Sequence, residues 1–314
     1  MQKVEYAGWP NCVRLANDLV EVIVTTDVGP RIIRFGFVNQ PNEFAELAQD
    51  LGRTGGEDFR LYGGHRLWHS PEVIPRTYHP DNEPVAIETH PDFVRVIQPV
   101  EKSTGITKEM DIRVAAELAW VRVTHRLYNN NVWTVRLAPW ALSMMAPRGV
   151  CVMPLPPRGY QPDNLLRVST ITLWGFTDMA DPRWTWGSRY IMLRQDPTMR
   201  TAQKVGLMTP EGWIAYARSG HLLIKRAAYL PTACYSDLGC CLETYTDADF
   251  LEVETLGPLA DLEPGTGVEH TEDWFLFDDV PVPASEADVD QLVLPRVRET
   301  DAYLAGESIT WVRP

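Results

Sequence analysis

The stretch "ITKEMDIRVAAELAWVRVTHRLYNNNVWTVRLAPWALSMM" spans residues 106–145 and decides the fold class. Residues 106–115 and 119–129 alternate apolar and polar side chains, the period-two pattern of half-buried antiparallel strands. Asn129, Asn130 and Asn131 tolerate positive φ and make a polar hairpin turn, after which residues 132–145 return as a third strand. His125 shares a face with Val121, Val123 and Leu127, which predicts a core histidine with internal hydrogen-bond partners.

The same pattern extends outward. Residues 19–26 and 31–38 flank a Gly29-Pro30 turn, and 93–100 precedes the central run. Later strands are predicted at 167–174, 188–195, 212–218, 221–229, 240–246, 249–256 and 267–277. Helical signals are confined to a short helix over 41–52 and a C-terminal segment over about 285–304, which Pro295 splits. A parallel α/β fold needs helices between its strands, and none is predicted there. The expectation is an all-β, large antiparallel sandwich with one or two short helices, formed by residues 1–314 as a single domain.

The net charge of −13 and pI near 5.0 repel phosphate backbones and anionic lipid. Nucleic-acid and membrane partners are therefore not expected. No N-terminal apolar run reads as a signal peptide, and no stretch of 18 apolar residues suits a bilayer. Five cysteines without a CxxC pair read as free thiols in a reducing cytoplasm. No GxGxxG or GxxxxGK[ST] element is present, which disfavours those nucleotide-binding classes. Neither a metal nor a cofactor is expected, and a monomer or homodimer is. Eleven tryptophans provide flat apolar faces of the kind on which sugars stack.

Two clusters carry candidate chemistry. In "GGHRLWHSPE" (63–72), His65 and His69 share one face of an extended segment. They are open to three readings: backbone-bonded loop histidines, metal ligands with Glu72 or His79 as the third, or groups that contact a hydroxyl-rich ligand. In "FLEVETLGPL" (250–259), Glu252 and Glu254 point to one face of a strand, about 6–7 Å apart by strand rise. On a cleft wall, repulsion and burial raise one carboxyl toward neutrality and make an acid or base; on an open face they are only solvated charges. Glu243 and Tyr245 on the preceding strand can join that face. Trp140, in "LAPWALSMM", is either core or a stacking platform. Trp184 and Trp186 either hold a sugar ring or pin a loop.

The ordered set "GPRIIRFGF", "GGHRLWHSPE", a central tryptophan segment and "FLEVETLGPL" resembles the galactose mutarotase-like superfamily across nearly the whole chain. Gly63, Gly64 and Trp68 match its Gly-Gly turn, and Val253–Glu254 match its late strand. The resemblance implies a β-supersandwich with a carbohydrate cleft on its concave face. It implies aldose mutarotase chemistry, with Glu254 as base and His69 or His65 as acid. Arg31 and Glu243 would hold hydroxyls and Trp140 would stack. Arg66, Glu72, Lys225 and Glu252 are the remaining substrate-binding candidates, with Arg31, Arg66 and Lys225 able to hold a phosphate or uronate. The superfamily's mid-chain histidine is absent, its place taken by "APWALSMM". Two other readings are a glycoside-cleaving lyase or hydrolase using Glu243, Glu252 and Glu254, and a non-catalytic carbohydrate-binding protein.

Overall fold

A computed structural model describes residues 1–306 and 309–314. In chain order the strands are β1 (Gln2–Tyr6), β2 (Trp9–Ala16), β3 (Val20–Thr25), β4 (Arg31–Phe37), β5 (His65–Ser70), β6 (Ala86–Thr89), β7 (Val94–Ile97), β8 (Ile106–Val114), β9 (Trp120–Asn129), β10 (Val135–Met145), β11 (Val150–Pro154), β12 (Ile171–Leu173), β13 (Trp184–Trp186), β14 (Tyr190–Arg194), β15 (Gln203–Leu207), β16 (Trp213–Arg218), β17 (His221–Ala227), β18 (Leu242–Thr246), β19 (Leu251–Leu256), β20 (Ala260–Leu262) and β21 (Gly267–Phe277).

They form two antiparallel sheets. The first runs β1-β2-β3-β4-β5-β10-β19-β18-β15-β12, with β20 beside β10; the second runs β13-β14-β11-β16-β17-β21-β9-β8-β7-β6. This is the expected large antiparallel sandwich. The core lies between the sheets, where Leu67, Met145, Leu251 and Val253 of the first meet Met110, Val121, Leu223 and Leu276 of the second.

Where expectation and structure part, tertiary pairing is the reason. The predicted helix over 41–52 does not form. Phe44 instead bridges Met145 and Glu46 bridges Gly63, while the Ala45 amide donates to the Met144 carbonyl at 2.8 Å. The segment joins the first sheet as irregular chain between Gly64 and Met144, with Phe44 in the core and Ala45 and Leu47 packed on Met144 on the other face. The "GGHRLWHSPE" element is not only a turn, because its residues 65–70 are a fully buried central strand. Gly63 and Gly64 do the turning, at φ +105° and +72°; a Cβ on them would stand 2.0 Å from the Ala45 oxygen and 2.4 Å from the Ile32 oxygen. Only glycine fits there.

The C-terminal segment is helical and split as expected. A short turn at Glu286–Asp288 leads into a π-helical stretch Val289–Val293 and then a helix Leu294–Ala305 with Pro295 in its first turn. Val289, Val293 and Val297 pack on Trp213, Ala215 and Leu222, on the far side of the second sheet. Among the described residues no helix is long and apolar enough to cross a membrane. All five cysteines are free thiols.

Candidate active site

Strand alternation sorts the chemistry of the first sheet onto two faces. On β19, Leu251 and Val253 enter the core, so Glu252, Glu254 and Leu256 point away from it. The register aligns Trp68, Trp140 and Leu256 across β5, β10 and β19. It also aligns Arg66 with Leu142, Glu254 and Glu243, and Glu252 with Tyr245 and Lys204 on β18 and β15. This outer face is roofed at its edges by the chain around Phe59–Leu61, Glu72–Tyr78 and Trp174–Phe176. Together they enclose a hollow of about 260 Å³.

Tryptophans make the walls. Trp68, Trp140 and Trp174 line the hollow with Phe176, Phe250 and Tyr78. Trp68 and Trp140 meet edge to face, with ring centroids 5.3 Å apart. Arg66 stacks its guanidinium on Trp68 at 3.9 Å and donates from Nη2 to Glu252 Oε1 at 3.1 Å. Its Nε and Nη1 are buried without a protein partner. Glu72 lines the rim and accepts a hydrogen bond from the Tyr78 hydroxyl.

Lys204 is the second cation of the wall, and nothing in the sequence pattern singled it out. Its Nζ lies 2.9 Å from Glu243 Oε2 and 3.1 Å from Glu254 Oε2. The indoles of Trp140 and Trp174 flank it at 4.5 and 4.7 Å. Glu254 Oε2 also accepts from the Trp140 indole at 2.8 Å. Glu254 and Glu243 thus stand one layer behind the wall, whereas Glu252 and Lys204 open onto the hollow.

Burial governs the protonation of this cluster. Desolvation raises Glu243, and the neighbouring Glu254 charge adds to it, against the pull of Lys204. Desolvation likewise raises Glu252 toward neutrality, with Arg66 opposing and Glu254 assisting. For Lys204 burial disfavours the ammonium, but Glu243 and Glu254 outweigh it and hold its pKa well above the ordinary lysine range. The wall therefore offers a fixed cation beside a carboxyl that exchanges its proton near neutral pH.

Four of the expected site residues line this hollow: Arg66, Glu72, Trp140 and Glu252. Others do not. His65 and His69 occupy the opposite face of β5, because residues of odd number there enter the core beside Leu67. His65 Nδ1 accepts from Ser143 at 2.9 Å and its Nε2 meets His125 Nε2 at 2.7 Å. His69 donates from Nε2 to Glu101 at 3.2 Å, and Lys108 holds the same carboxylate at 2.5 Å. The sheet stands between both imidazoles and Glu254, so the expected histidine acid is corrected. Lys225 is corrected too: it lies between the sheets, 2.6 Å from Glu272. Arg31 is fully buried and donates to the Leu61 and Gly63 carbonyls at 2.9 and 2.6 Å, with Asp81 as its ion partner; it braces the arm that carries the hollow's rim. Trp184 and Trp186 stack on one another at 4.9 Å, and the Trp186 indole donates to the Met179 carbonyl, which pins a loop rather than a ligand.

Nor do Glu72 and His79 join the histidine pair. His79 bonds Ser103 at 2.8 Å at the surface. The groups with metal-ligand geometry among the described residues are His65, His125 and Glu272, whose ligand atoms lie within 4.8 Å of one another. Their lone pairs and protons are already used. His125 Nδ1 donates to the His270 carbonyl, the Trp274 indole donates to Glu272 Oε2, and the Lys225 ammonium supplies the positive charge. His125 is the satisfied core histidine that its strand position predicts.

No family model matches this chain, and no curated protein matches it in sequence. Solved structures do match it in shape. A galactose mutarotase-like protein from Lactobacillus casei superposes with TM-score 0.55 at 10% identity, covering 85% of this chain and 100% of that one. A candidate aldose 1-epimerase from Escherichia coli K12 gives 0.53 at 12% identity, covering 85% and 99%. One from Klebsiella pneumoniae gives 0.55 at 12% identity, covering 97% and 86%. At this identity the likeness is one of fold: the chain has the two-sheet antiparallel fold of these galactose mutarotase-like structures.

Proposed function

We propose that the hollow binds a monosaccharide and interconverts its anomers, as an aldose 1-epimerase does. The observation that carries this reading is Glu252: a buried carboxyl, raised toward neutrality, that opens onto a hollow walled by three indoles. Indole faces take the apolar faces of a sugar ring, and the unpaired Nε and Nη1 of Arg66 suit its hydroxyl oxygens. Glu252 removes the proton of the anomeric hydroxyl as the ring opens and returns it on closure. Glu254, expected as the base, takes a positioning role behind Lys204. No cofactor enters this chemistry. Glycosidic cleavage by Glu243, Glu252 and Glu254 is the weaker reading, because only Glu252 of the three opens onto the hollow.

The test is anomer exchange of glucose, galactose and related aldoses, followed by NMR or polarimetry. Positioned proton transfer provides about 10²–10⁴-fold, and Glu252→Gln is expected to abolish most of it while sugar binding remains. If the wild-type protein leaves every aldose at its buffer rate, the reading is wrong. Binding without exchange then points to a non-catalytic carbohydrate-binding protein.

A further inference from the structure

Ring opening needs a second group, one that gives a proton to the ring oxygen. The resemblance assigns that task to histidine, yet among the described residues no imidazole lines the hollow. We infer that Lys204 is the acid of this site, with Glu243 and Glu254 as the residues that position it; the inference rests on the isomerase reading above.

The geometry carries it. Lys204 Nζ lies at the wall; it donates to Glu254 Oε2 behind it at 3.1 Å, which fixes one of its three N–H directions, and the Glu243 carboxylate holds its charge from 2.9 Å. The indoles of Trp140 and Trp174 restrict it from two sides. In the cross-strand register Lys204 and Glu252 are separated by Tyr245 alone. That puts their backbones about 10 Å apart on the same outer face, a distance two long side chains close to the width of one sugar ring.

The step balances without any further reactant. Glu252 takes the proton from O1, the O1–H electron pair forms the C1=O bond, the C1–O5 bond breaks, and O5 takes a proton from Nζ. After rotation about C1–C2, O5 returns its proton to Nζ and attacks the other face of C1, while O1 recovers its proton from Glu252. Both side chains end as they began. An alkoxide is a stronger base than an amine, so the ammonium protonates O5 even though Glu243 and Glu254 strengthen its hold on the proton.

The rival reading makes Lys204 only the counter-ion of two buried carboxylates. Removing it alone would strand them, so Lys204→Ala is made in the wild type and again together with Glu243→Gln/Glu254→Gln, a triple variant that leaves no buried carboxylate without a counter-ion. Folding is checked by thermal denaturation and sugar binding by calorimetry. The expected result is a fall in kcat of about 10²-fold or more relative to the wild type in both variants, with KM changed only a few-fold. Methylamine or ethylamine should restore part of the rate in proportion to its concentration, an effect a structural role would not produce. A triple variant within about threefold of the wild type overturns the role of Lys204 and leaves the isomerase reading standing. So does a loss of rate that no amine relieves and that runs parallel to a loss of sugar binding. A wild-type protein inactive on every aldose overturns both at once.

Discussion

His65 and His125 meet nitrogen to nitrogen between the sheets, Nε2 to Nε2 at 2.7 Å. One must donate and the other accept, so both cannot be imidazolium. His125 gives its Nδ1 proton to the His270 carbonyl, which leaves its Nε2 as acceptor and makes His65 the donor. Ser143 then donates to His65 Nδ1. Burial depresses all three imidazoles, His270 to about 3.

Acid should therefore unfold the protein from within. A histidine depressed in the folded state binds its proton more readily when unfolded. Its stabilising contribution is complete above about pH 6.5 and declines as pH falls toward the folded value, by about 1.4 kcal/mol per unit for each such residue. Thermal midpoints measured from pH 7 to pH 4 should drop steeply. His270 Nε2 donates to the Thr255 hydroxyl at 2.6 Å, which itself donates to Glu272; His270→Gln, which can still donate to Thr255, should flatten the slope, and an unchanged slope would show that His270 is not part of it.

Lys225 and Glu272 form a fully buried pair at 2.6 Å. Lys225→Met leaves Glu272 uncompensated and is expected to cost about 3–5 kcal/mol in urea denaturation. Adding Glu272→Gln should recover much of that loss, since the stranded charge is then gone.

The pH dependence of the proposed isomerase follows from Glu252. A base must be ionised, and this carboxyl is raised by burial. The rate should fall as pH drops through neutrality rather than near 4.5, the ordinary glutamate value. A kcat/KM profile that stays flat down to pH 5 would exclude Glu252 as the base.

Trp174 is half-buried, lines the hollow and faces Lys204 at 4.7 Å. Trp174→Ala should weaken monosaccharide binding by about 1 kcal/mol, roughly five-fold, with a smaller effect on folding. Calorimetry of the variant beside the wild type decides it.

Gly64→Ala combines a left-handed φ with a Cβ 2.4 Å from the Ile32 oxygen, whereas Gly55 has φ +64° and open space around it. The first should cost several kcal/mol and the second about 1 kcal/mol. Equal losses in chemical denaturation would refute the steric argument.

Period-two alternation made the sandwich legible, because a strand with one face in the core writes that face into its sequence. It also placed Glu252 and Glu254 on a common face. It was weakest where a strand is buried on both sides. In β5, "HRLWHS", polar residues face both the core and the hollow, and local pattern cannot tell a strand with histidines in its core from a polar turn. Lys204 was missed because "QKVGL" shows one cation in a short apolar strand. Its meaning comes from Glu243 and Glu254, some 40 to 50 residues later in the chain. The depth of Glu254 was equally invisible, since strand parity gives direction and not distance from the surface.

Lys225 also donates to the Val253 carbonyl at 3.2 Å, the peptide oxygen between Glu252 and Glu254. A concealed clamp thus grips the acidic strand from its reverse side. Substitutions at 225 or 272, invisible to any ligand, should be felt at 252, so the protein's inner ion pair and its outer chemistry are not free to drift apart.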